Sequence, residues 1–305
     1  MAQNASGQTA RELLAKGQRD EAIRVLHQTL DANPQNADAR VLLGLALIES
    51  GDYAAARAQL DYALRTLGHR PDAAYALYLR AKADTALDQV RTARTDLQQA
   101  VSIQPRFAEA WSDLGEARKT LLDEAGALAA FEKAVQCAPN DPVAQTRVGS
   151  ELLDQGRARD ALPHLDQAAR LDPENQSALY NLQRALGEDG HPRQAQAVRQ
   201  ALAELLRKKD REAQNAFAAI QLNDQGAALE KAGKLREALE KYREAVNLDP
   251  EHAGIRVNYA AALLHLGQWK EGVRELREAS RLDPDNLAIK KALEEVLAHP
   301  IPGEP

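Results

Sequence analysis

The side chains of this 305-residue chain that could bind a metal or move a proton are seven histidines, one cysteine and 45 acidic residues. The histidines are His27, His69, His164, His191, His252, His265 and His299. No two of them stand four apart, so no helix presents the paired imidazoles of a metal site. Cys137 is alone, which excludes an internal disulfide and a cysteine-based zinc site. Its environment should be that of a small apolar residue. No glycine-rich phosphate loop, H-E-x-x-H or G-x-S-x-G is present. The carboxylates are interleaved with arginines and lysines, as on the solvated face of a helix. These residues therefore point away from catalysis, metal and cofactor: the expectation is no enzyme and no cofactor.

Composition narrows the partners further. Lys and Arg total 39 against 45 acidic residues, a net charge of −6. A nucleic-acid binder needs a basic footprint to neutralise phosphates, so nucleic acid is not expected. The longest apolar run, near Val41–Ile48, is far too short to span a membrane. The N-terminal residues lack the pattern of a signal peptide. The expected compartment is cytoplasmic, or periplasmic or secreted if a signal peptide has been removed.

The elements that hold these residues are set by a repeat. Pro71, Pro105, Pro139 and Pro173 are 34 residues apart, as are Pro250 and Pro284. A fixed period in this range marks a repeat architecture. Alignment on the prolines gives eight units, starting near residues 3, 37, 74, 108, 142, 176, 219 and 253. One small position is alanine in seven of them: Ala22, Ala56, Ala93, Ala127, Ala161, Ala195 and Ala238. A second is Ala63, Ala100, Ala134, Ala168, Ala245 and Ala279, with Thr29 and Leu202 as departures. Gly17, Gly51, Gly156, Gly190, Gly233 and Gly267 form a third column. The glycine can cap a first helix in the left-handed conformation. The alanines, seven apart on one face of a second helix, allow close approach. The proline stops that second helix.

The clearest unit reads Trp111-Ser-Asp-Leu-Gly115, then Ala127, Phe131, Ala134 and Pro139. It resembles the tetratricopeptide repeat, and the resemblance extends over about residues 3–286. It implies an all-α fold: a right-handed α-solenoid of about eight helix-turn-helix repeats with a C-terminal capping helix over Leu287–His299. Trp111 is expected in the core, and Tyr53 and Trp269 against the hairpin turns.

Two spacings break the period. Pro34 to Pro71 is 37 residues, which places three extra residues near Thr66–Arg70. Units six and seven are offset by 43, nine more than the period. No proline occurs between Arg193 and Asp249 and no glycine between Arg193 and Gln225, so a long helix should run from about Pro192 well past Lys209. Four lysines precede Arg207 and eight follow it. The expected organisation is residues 1–207 as units one to six, 208–218 as an extended helix or linker, 219–299 as units seven and eight with the cap, and 300–305 as a disordered tail. Units seven and eight should be rotated against the first six.

The resemblance also implies where a partner binds, because first helices in this family line the inner groove. The matching positions are Tyr75, Tyr78 and Lys82 in unit three, Ser112, Glu116 and Lys119 in unit four, and Thr146 in unit five. Tyr180 and Arg184 follow in unit six and Asn223 in unit seven. Tyrosine and arginine are the residues that most often carry binding energy at interfaces. The lysine-and-asparagine clamp of chaperone-tail binders is absent, because Leu45, Glu116, Ser150 and Ala227 follow the conserved small position. Asn223 and Asn258 do not extend into an asparagine ladder. Three readings of function follow: an adaptor or scaffold for a protein or peptide partner, the recognition domain of a larger multidomain enzyme, or a structural protein with weak self-association through stacked ends or Lys234–Tyr242.

Overall fold

The computed structural model describes residues 2–68 and 70–298; His69, His299 and the tail 300–305 lie outside the described residues. Within the described residues every regular element is a helix. Units one to three comprise α1 (Ala2–Ala15), α2 (Arg19–Ala32), α3 (Ala37–Glu49), α4 (Tyr53–Leu67), α5 (Ala73–Ala86) and α6 (Val90–Ile103). Units four and five comprise α7 (Ala108–Thr120), α8 (Glu124–Cys137), α9 (Pro142–Asp154) and α10 (Ala158–Leu171). Next come α11 (Gln176–Glu188), α12 (Pro192–Lys231), α13 (Leu235–Leu248), α14 (Ala253–His265), α15 (Trp269–Leu282) and α16 (Leu287–Leu297). By internal contacts the chain divides into two units, Met1–Leu202 and Ala203–Pro305. The 40-residue α12 serves as the second helix of repeat six and the first helix of repeat seven.

The repeat columns become structural parts. Helices α2, α6, α8, α10, α13 and α15 each stop two residues before a proline. The next helix is then capped by the residue two beyond that proline. Asn36, Asp141, Asn175, His252 and Asn286 each accept a backbone N–H of the first turn. A second tie recurs four residues further on. Arg40, Trp111, Gln145 and Arg256 reach back to the carbonyls of Pro34, Pro105, Pro139 and Pro250 at 2.8, 2.9, 2.9 and 2.7 Å. Trp111 packs against the core around Leu97, Ala110 and Leu114 but is half-buried, its indole N–H serving the turn. Cys137 is likewise half-buried, its thiol 3.5 Å from the same Pro105 carbonyl.

Every alanine of the two columns is buried. The tightest crossing within a hairpin, however, is set by a first-helix glycine. A Cβ on Gly115 would stand 2.3 Å from the Phe131 ring, and one on Gly149 2.4 Å from Leu165. Gly44 and Gly226 face Leu60 and Tyr242 in the same way. The large residue fills the space that the missing Cβ leaves. Phe131, Val148, Leu165 and Leu182 then form one continuous core from α8 to α11.

Gly17, Gly51, Gly156, Gly190, Gly233 and Gly267 all have positive φ. Units three and four lack the glycine, and Asp88 (φ 60°) and Leu122 (φ 61°) occupy its left-handed conformation instead. Leu122 is 86% exposed, so no packing compensates the strain on its Cβ. Leu122→Gly should raise stability by about 1 kcal/mol, seen as a higher thermal midpoint by circular dichroism. Gly115→Ala should lower it by about 1–3 kcal/mol.

Gln145 donates to Pro139, so its side-chain oxygen is left to accept from His164 Nδ1 at 2.7 Å. Burial holds the His164 pKa below its ordinary value. The unfolded chain therefore binds this proton more readily than the folded one. The His164 contribution is present above about pH 6.5, the unperturbed value, and is lost as pH falls through the folded pKa. The urea midpoint should drop between pH 7.5 and 5, and drop less in His164→Gln.

Candidate functional site

In the unit Met1–Leu202, three pairs of first helices approach one another directly, α1 with α3, α3 with α5 and α9 with α11, whereas α7 meets α9 through side chains; no two second helices approach to the extent of the three pairs. This asymmetry puts the first helices on the inside of the stack. Their side chains form two kinds of surface.

The first is a ladder of ion pairs that joins α7, α9 and α11. From α9, Arg147 reaches back to α7, where it donates to the Ser112 hydroxyl and lies 3.2 Å from Glu116 and 3.9 Å from Asp113. From α7, Lys119 reaches forward to α9 and meets Asp154 at 2.8 Å and Glu151 at 3.0 Å. Arg184 of α11 adds a rung 3.9 Å from Asp154 and 3.7 Å from Glu188. Glu151 is only 1% exposed, so its charge depends on Lys119. Burial pulls the Lys119 pKa down, but hydrogen bonds to Asp154 and Glu151 outweigh it and leave the ammonium above its usual value. Asp113 is pushed up by burial, against the pull of Arg147.

The second surface is aromatic. Tyr75 and Tyr78 of α5 stack with ring centres 6.2 Å apart, and Phe107 lies 4.8 Å from Tyr78 and 6.5 Å from Tyr75. Lys82 stands 5.6 Å from the Tyr78 ring centre. Burial, then the charges of Asp113 and Glu109, raise the Tyr78 hydroxyl pKa, so the hydroxyl stays protonated.

The ten sequence-derived positions thus divide. Tyr75, Tyr78 and Lys82 come together, and Tyr180 is 54% exposed. Glu116, Lys119 and Arg184 lie in the ladder, so their charges are already paired. Ser112 and Thr146 are buried and bonded internally, Thr146 to its own Pro142 carbonyl at 2.7 Å. Val143, three residues before Thr146 on α9, is exposed. In the unit Ala203–Pro305, Asn223 accepts from Asn258 at 2.9 Å. In the same unit Tyr242, at the end of the Lys234–Tyr242 segment, is buried and donates to Glu230 at 2.9 Å, while Lys234, Arg236, Glu237 and Glu240 of that segment are exposed.

Phe107 is the site residue that the repeat alignment overlooks. It stands where other units carry the capping Asn or Asp, and it caps nothing. That departure was the available signal.

Among the described residues no group of three His, Cys, Asp or Glu side chains could hold a metal ion. No helix among them is long and apolar enough to cross a membrane.

Comparison with known proteins agrees with this geometry. Two tetratricopeptide repeat models match, one over residues 8–68, 78–142 and 148–210 and the other over 229–296. Among solved structures, the pilF protein of Pseudomonas aeruginosa is 20% identical, with 67% of this chain and 91% of that chain covered and a TM-score of 0.61. MamA of Desulfovibrio magneticus RS-1 is 22% identical, with 57% and 96% covered and a TM-score of 0.50. At these identities the likeness concerns the fold. No curated protein gives a significant match.

Lys119→Met should cost about 2 kcal/mol in chemical denaturation, because Glu151 stays buried without its counter-charge; the value is set below the 3–5 kcal/mol of fully buried pairs because Lys119 is partly solvated. Adding Glu151→Gln should recover most of the loss. Asp154→Asn, at the exposed end, should cost less than about 1 kcal/mol.

Proposed function

Because the chain belongs to the tetratricopeptide repeat family, whose arrays are protein-interaction scaffolds, we propose that it is a non-catalytic adaptor that binds a protein or peptide partner on the first helices of units three to six. The observation that carries this reading is the pairing pattern on α5, α7, α9 and α11. The charges of α7, α9 and α11 are largely tied to one another, while Tyr75, Val143 and Tyr180 remain exposed on the same face. Exposed aromatic and aliphatic side chains beside fixed polar groups give a partner apolar area to cover. Because the ladder already holds its side chains in place, little conformational entropy remains to be lost when a partner docks.

A photo-crosslinking side chain tests this. Benzoylphenylalanine placed at Val143 or Tyr180 in native extract should give discrete adducts to another protein. The same group at Gln98 or Glu132, exposed positions on the second helices α6 and α8, should give none. Equal adducts from both sets would contradict the assignment, and adducts only to the chain itself would favour self-assembly.

A further inference from the structure

We propose that the aromatic step of Tyr75, Tyr78 and Phe107 seats an arginine side chain carried by the partner peptide, with Glu49 and Glu109 beside it to receive the guanidinium. This rests on the first-helix face being the binding surface and narrows that surface to one chemistry.

Three observations point to a planar cation. The first is the shelf itself. Its rings lie within 6.5 Å of one another, and Tyr75 leaves 42% of its surface open. An aromatic face attracts a cation through its quadrupole, and a guanidinium can also stack flat on it.

The second is the charge around the shelf. Asp113 and Glu116 stand here with Lys82 and Arg147, and Glu109 follows Phe107 by two residues at the start of α7. Glu49 and Glu109 are near enough to raise the hydroxyl pKa values of Tyr75 and Tyr78, after burial. Arg147 is already committed to Ser112 and Glu116. Among the described residues the ion-pair partner of Glu49 is the exposed Arg19, at 3.4 Å. Glu109, one period after Tyr75, has no ion-pair partner among the described residues. A carboxylate beside an open aromatic ring is complementary to an arginine, which can stack and donate at its edge.

The third is that the chain makes this contact within itself. The Arg40 guanidinium carbon stands 3.7 Å from the Tyr62 ring centre, while its nitrogens donate to Gln59 and to the Pro34 carbonyl. Lys82 over Tyr78 is a weaker version at 5.6 Å. The shelf has the same ring and acceptor components with a carboxylate in place of the amide.

The test uses the full chain and an array of short immobilised peptides. The peptides share one apolar context and differ at a central arginine, lysine, citrulline or glutamate. Citrulline keeps the shape of arginine without its charge. The wild-type chain should be retained on the arginine members about tenfold more than on citrulline, and more than on lysine. Tyr75→Ala and Glu109→Gln should each remove most of that difference, while Tyr75→Phe keeps it. A thermal melt of each variant confirms that it is folded. Equal retention on arginine and citrulline, or on arginine and lysine, overturns the assignment. So does an arginine preference that survives in the Tyr75→Ala/Glu109→Gln double variant. Retention that ignores the central residue and is lost in Tyr180→Ala overturns the arginine seat and leaves the first-helix surface standing. No retention of any peptide overturns both.

Discussion

Four hairpins of this chain, those of Gly44, Gly115, Gly149 and Gly226, close on one contact, a large side chain of the second helix set into the space of a missing Cβ on the first. Phe131 against Gly115 and Leu165 against Gly149 show it most tightly. Two helices of about fourteen residues have little stability alone, and their apolar faces are covered only by the next hairpin. Helix separation at the crossing decides whether that next hairpin fits. Alanine columns on α4, α6, α8 and α10 are buried and leave room for the neighbouring helices to approach. The first helices then come near enough for side chains about thirty-five residues apart to meet, as Ser112 and Arg147 do. The inner face is thus a product of the crossings.

Much of this was legible in the residues. Prolines at a fixed spacing located the ends of the second helices, and the alanine columns located the buried faces. The absence of proline and glycine from Arg193 to Gln225 leaves nothing to stop α12 over that stretch. These features are local or repeat along the chain, so one sequence suffices to show them. The capping Asn36, Asp141, Asn175 and Asn286 were in plain view two residues after their prolines, and their role becomes evident once helix starts are known.

The inner face was less legible, for a physical reason. Whether Lys119 meets a partner or meets Glu151 depends on the rise and rotation between units, which period alone does not define. Ser112 and Thr146 fall on the expected helix face by spacing, yet both are buried, Ser112 bonded to Arg147 of α9 and Thr146 to its own Pro142 carbonyl. Asp88 and Leu122 show the reverse case. They break the glycine column, and the backbone keeps its left-handed turn without the residue suited to it. Phe107 gives up a cap and joins Tyr75 and Tyr78. Departures from the repeat thus mark strain in one place and an aromatic cluster in another.

Hydrogen exchange tests the central claim most directly, measured on the full chain with and without the protein captured at Val143 or Tyr180. The account predicts added protection along α5, α7, α9 and α11, with α6, α8 and α10 unchanged on their outer sides. Protection confined to the second helices would contradict it.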